Sequence, residues 1–145
     1  MESENEVEVR DGRIILMVGA RSDTVLASAS HVLMQERIAL RRYEPEEGLA
    51  ESGFIDIGQY RDFDSEIWDE SDRLIKLRFY ATVKNSKTFL VCEPLYNPYE
   101  IVTHESDYTR LRLVPPGHPG FNVAVALTRR IAAYAEGRAV TAPSY

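Results

Sequence analysis

The 145 residues include a single cysteine, Cys92, so no disulfide can close within the chain and no multi-cysteine zinc site can be built. A reducing location, cytoplasmic or nuclear, is therefore expected. Histidine is almost as scarce: His31, His104 and His118 form no HExxH arrangement and no other recognised zinc spacing. Long apolar runs are missing; stretches such as Ile14–Val18 fall far short of the roughly 20 residues that cross a bilayer. Positive charge is in deficit, with 17 Lys and Arg against 23 Asp and Glu and a net charge of −6. Nucleic acid and anionic membranes are thus disfavoured as main partners, because both recruit clustered cations to release counterions. Residues 1–9 alternate carboxylates where a leader would place basic residues and an apolar core, so no targeting segment is expected.

What remains is material for one ordinary core: 44% hydrophobic and 28% charged residues, sufficient without metals or staples. A single domain over residues 11–137 is expected, preceded by an acidic segment (1–10) and followed by a tail (138–145). Ile14–Val18, bounded by Asp11-Gly12 and Gly19, reads as a short strand covered on both faces. After a capping Ser22 or Asp23, Val25, Leu26, Ala29, Val32, Leu33, Glu36 and Leu40 recur at helical spacing and predict a helix from Thr24 to Arg42, with a break near Gln35. Glu44–Gly48 is a loop by its proline, glycine and charge, and Phe54–Ile57 alternates as a short strand does.

From Leu74 to Val83 apolar and polar residues alternate, Lys84–Lys87 supplies a turn, and Thr88–Glu93 completes a hairpin. A second strand pair is expected at Glu100–Thr103 and Thr109–Val114. Pro115–Gly120 breaks the chain before a final helix, Phe121–Glu136, with Val123, Leu127, Ile131 and Tyr134 on one face and Gly137 at its C-terminal end. The class is α+β: an N-terminal strand and helix, a central, mostly antiparallel sheet and a C-terminal amphipathic helix.

Catalytic chemistry has few footholds. The chain lacks GxSxG, SxxK and P-loop motifs, and Gly19–Asp23 reads as a plain strand-to-helix turn. Asp62 and Asp64 stand two apart as a minimal carboxylate pair for a hard divalent cation, and with His104 they outline a small metal-dependent enzyme as one alternative. Cys92 lies in an apolar strand and reads as packing, and His31 as a boundary residue. No cofactor is expected. Eleven acids from Glu44 to Asp72 are opposed only by Arg61, and a basic stretch follows at Arg73, Lys76, Arg78, Lys84 and Lys87; the two either pair across the fold or form separate solvated faces.

The run Asp11–Gly19 followed by Thr24–Leu33 resembles the opening strands and first helix of a BTB/POZ domain, with weaker echoes at Phe54–Ile57, at Leu74–Tyr80, where the family has a helix, and at Tyr99–Val102 with Asp107-Tyr108, where it has another. That resemblance implies a homodimer built on the first strand and helix, with Ile14, Leu16, Leu26 and Leu33 near the interface. Phe79–Val83, Phe89–Cys92, Tyr99–Thr103 and Leu111–Leu113 also resemble successive strands of a Tudor or Agenet barrel. That likeness implies a reader of methylated peptides, with Phe79, Tyr80, Tyr96 and Tyr99 as cage aromatics. The reading with most support in the sequence is a non-enzymatic protein-interaction or oligomerisation module, adaptor-like or regulatory, whose partner is another protein or a second copy of itself.

Overall fold

A computed structural model describes residues 6–59, 73–97 and 111–138 of the chain. It is α+β, as the alternation and the final amphipathic stretch lead one to expect. Strand β1 (Glu8–Arg10) turns through Asp11 and Gly12, both at positive φ, into β2 (Arg13–Val18). Helix α1 (Ser22–Gln35) follows, then β3 (Leu40–Glu44), a short 3-10 turn at Pro45–Glu47, β4 (Leu49–Ser52) and β5 (Ile55–Asp56). The long hairpin comes next, β6 (Leu74–Lys84) and β7 (Lys87–Tyr96), then β8 (Arg112–Leu113) and helix α2 (Pro119–Ala135).

The strands form one antiparallel sheet in the order β1-β2-β7-β6-β4-β3, with β5 attached to β6 and β8 to β7. Both helices lie on the same face. Ile14, Leu16 and Val18 of β2, Leu90 and Cys92 of β7, Phe79 and Ala81 of β6 and Ala50 of β4 meet Val25, Leu26, Ala29, Val32 and Leu33 of α1 and Val123, Leu127 and Ile131 of α2 in one buried cluster. Helix α2 opens at His118, whose Nδ1 accepts a 2.9 Å hydrogen bond from the Gly120 N–H and so caps one of the donors left over at a helix start.

The structure departs from expectation at several places. The first helix stops at Gln35, where a break is expected, and does not resume toward Arg42. Arg37 takes a left-handed φ of 60°, the Ile38 N–H donates to the Leu33 carbonyl and the Arg37 N–H to the Met34 carbonyl. This is a Schellman stop, with buried Ile38 as its apolar anchor. Leu40, which prolongs the helical stripe on paper, starts a strand instead. Strand β2 is covered on one face only: Met17 is 51% exposed while Ile14, Leu16 and Val18 are buried. Strand β1 falls within the acidic segment (1–10) expected to precede the domain, and β4 falls where the sequence signals no strand. Phe54–Ile57 yields only the two-residue β5. Leu74–Tyr80, the segment aligned with a helix in the BTB/POZ resemblance, is part of β6. Glu100–Thr103, Thr109 and Arg110 lie outside the described residues.

Candidate functional site

Alternation along the strands sends every second side chain away from the helices, and the register gathers these side chains into rows on the open face. One row is ionic. Arg13, Glu93, Arg78, Glu51 and Arg42 follow one another across β2, β7, β6, β4 and β3, plus and minus in turn. The Arg13 Nε donates to Glu93 at 2.7 Å and the Arg78 Nε to Glu51 at 2.7 Å; a second nitrogen of Arg78 lies 3.5 Å from Glu93. Glu51 is 1% exposed, so its charge is held by arginine rather than by water. Burial alone pulls the Arg78 guanidinium down, but the hydrogen bond and charge of Glu51, joined by those of Tyr80, more than reverse this, and its pKa lies above the ordinary arginine value. At the end of the row, Arg42 is likewise raised, chiefly by its bond to Glu44.

The neighbouring row is apolar. Ile15, Val91, Tyr80 and Leu49 align across four strands, with Glu8 and Glu44 at the two ends. Met17 and Phe89 extend the band by one further row. Ile15, Phe89, Val91 and Tyr80 are half-buried and Leu49 is buried, as are Glu51 and Lys76 elsewhere on this face; among the described residues both helices are on the other side. The Tyr80 hydroxyl is pushed above the usual phenol range, first by burial and then by Glu93. Where β1, β2 and β7 meet, an open groove of about 1330 Å³ is lined by Val7, Ile15, Met17 and Phe89 together with Glu8 and Lys87.

The residues singled out from the sequence are dispersed. Ile14, Leu16, Leu26 and Leu33 have 0–1% exposure in the chain's own core, so the interface expected of them is corrected: a partner would have to unfold the domain to touch them. Phe79 and Tyr80 are consecutive in a strand and therefore point to opposite faces, Phe79 into the core and Tyr80 outward. Tyr96 packs edge-on to His118 with ring centres 5.0 Å apart. Hence Phe79, Tyr80 and Tyr96 do not converge on a cage. Tyr99, Asp62, Asp64 and His104 lie outside the described residues. Among the described residues no three His, Cys, Asp or Glu side chains cluster as metal ligands would.

Cys92 is fully buried and desolvation pushes its thiol up to about 12, which makes it packing rather than a nucleophile. His31 stacks on Tyr134 at 4.3 Å. Among the described residues two ion pairs join the acidic and basic stretches, Arg73 with Asp56 at 2.8 Å and Arg78 with Glu51, while residues 60–72, which hold six of the eleven acids, lie outside them; Lys76 is buried with its ammonium 4.7 Å from the centre of the Phe54 ring. The ionic row is not legible in the sequence because its five members come from five strands, of which the sequence pairs only β6 with β7. Among the described residues no helix is long and apolar enough to cross a membrane. Compared with protein-family models and with curated proteins, the chain matches none.

Proposed function

We propose that the chain is a non-enzymatic protein-interaction module that receives a protein partner on the open face of its sheet. One observation carries this reading: a contiguous apolar band, Ile15, Met17, Phe89, Val91 and Tyr80, lies on the face away from the helices and is bordered by a fixed row of alternating charges. Apolar strips rimmed by polar groups are what protein interfaces are made of, since desolvating the strip drives association while the rim sets orientation. A rigid sheet presents that strip with little ordering cost.

The test compares the wild-type chain with Met17→Asp and Val91→Asp variants, each confirmed as folded by circular dichroism. Each is used to retain partners from an extract of the source cells, followed by quantitative mass spectrometry. Proteins held by the wild type and lost from both variants are expected. Indistinguishable sets from all three proteins would refute the open face as the docking surface.

A further inference from the structure

Strand β3 ends the sheet among the described residues, and it carries a charge pattern that is complementary to itself. Arg42 stands opposite Glu51 and Glu44 opposite Leu49, so both look to the open face, whereas Tyr43 stands opposite Ala50 and looks to the helix side. Arg42 and Glu44 are about half exposed and Tyr43 is 40% exposed.

A second copy related by a two-fold axis normal to the sheet would run its β3 antiparallel to this one and keep both open faces on the same side. Residues then meet only partner residues that point the same way. A register centred on Arg42 sets two arginines against each other, and one centred on Glu44 sets two carboxylates together. The register centred on Tyr43 places Arg42 opposite the partner's Glu44 and Glu44 opposite the partner's Arg42, with the tyrosines flanking the axis. It also continues the ionic row: Arg13, Glu93, Arg78, Glu51 and Arg42 end on an arginine, and the next position across the boundary is an acid.

We propose that the chain forms a two-fold dimer by pairing β3 with β3 in the register centred on Tyr43, joining the two sheets into one continuous surface. This deepens the reading above and rests on it, because its consequence is a doubled open face for the docked partner. Pro45 lacks an N–H and ends the pairing strand, so the contact is short and the dimer weak. It assembles as concentration rises from the micromolar to the millimolar range.

Sedimentation velocity across that range tests the proposal with four proteins: wild type, Arg42→Glu, Glu44→Arg and the double variant. Wild type and the double variant are expected to dimerise, and each single variant to remain monomeric. An equimolar mixture of the two single variants is expected to form a heterodimer, since each then offers only charges that the other lacks. That last result separates pairing between chains from the bond between Arg42 and Glu44 within one chain. If the single variants are poorly folded, Tyr43→Cys gives an independent reading: a cysteine at the axis faces its own copy, and added diamide, which takes up the two electrons and two protons, links the pair as a disulfide dimer, while Arg42→Cys does not link.

A dimer indifferent to the charge swaps and not trapped by Tyr43→Cys overturns this register while leaving the docking reading, tested by its own face variants, untouched. A wild-type chain that stays monomeric throughout overturns the dimer, and the arginines of β3 then act as guards against edge pairing.

Discussion

Removing the carboxylate of Glu51 tests whether the ionic row holds the open face in place. Glu51 is 1% exposed, it accepts a 2.7 Å bond from Arg78, and Arg78 is itself 27% exposed. In the Glu51→Ala variant the guanidinium keeps the Tyr80 hydroxyl and Glu93, at 3.5 Å, as neighbours, and Glu93 is already held by Arg13. Breaking a buried pair leaves an uncompensated charge and costs about 3–5 kcal/mol; partial exposure and the remaining contact put this case near the lower end, at about 3 kcal/mol. With a urea m-value of about 2 kcal/mol/M, the unfolding midpoint falls by about 1.5 M. Replacing both partners, Glu51→Leu with Arg78→Met, removes the charge and the desolvation together and is expected to return stability to within about 1 kcal/mol of wild type. Equilibrium urea unfolding of Glu51→Leu, Arg78→Met and the double variant completes the cycle. A Glu51→Ala cost below about 0.5 kcal/mol, or a double variant whose loss equals the sum of the singles, would show that the row is solvated and contributes nothing.

Three further outcomes follow from individual atoms. Gly48 sits at φ +70°, and a Cβ there would lie 2.7 Å from the Ala81 carbonyl oxygen, so Gly48→Ala is expected to cost about 2 kcal/mol or more in thermal or urea unfolding. The Ser52 hydroxyl accepts the Leu77 N–H at 2.9 Å, so Ser52→Ala orphans a buried donor; a loss of about 1–3 kcal/mol is expected, with faster hydrogen exchange at the Leu77 amide. Cys92, at about 12 when folded against an ordinary value of 9.0, binds its proton more tightly in the native state; its contribution is complete below pH 9 and declines as pH rises from 9 towards 12. The stability difference between wild type and Cys92→Ala is therefore expected to shrink by about 1.4 kcal/mol from pH 8 to pH 10, and the native thiol to resist a thiol-specific reagent at pH 8.

The two helix ends show why part of the fold was legible and part was not. Both stop in the same way: Gly137 and Arg37 adopt the left-handed conformation, and Arg138 and Ile38 return their N–H groups to Ala133 and Leu33. A glycine advertises that conformation, so the end of α2 could be read within a residue. An arginine does not, and Leu40 falls by chance on the helical stripe, so the sequence marks an interruption near Gln35 but not that the helix ends there. The hairpin of β6 and β7 is legible because the ten residues from Leu74 to Val83 alternate and carry their own period. Strand β4 was not, because Leu49–Ser52 is buried throughout, with Glu51 and Ser52 satisfied by Arg78 and the Leu77 amide rather than by solvent. The open face went unread for the same reason: the period of two names two faces but does not say which one the helices take.

That ambiguity is settled in the molecule by the same residues that shape the candidate site. A slip of one residue between β4 and β6 would turn Arg78 and Lys76 under the helices and put Phe79, Leu77 and Ile75 on the open face, stranding Glu51 without its guanidinium. Arg78 is bonded on both sides, to Glu51 and to Glu93, so a slip of β6 against either neighbour breaks an ion pair as well as the core. The row therefore fixes register across the middle of the sheet, and fixed register is what keeps Ile15, Val91 and Tyr80 aligned as one band. The charges that pin the strands and the apolar strip that a partner would meet are adjacent rows of one lattice, so a substitution that loosens the first is expected to blur the second even where it touches no partner.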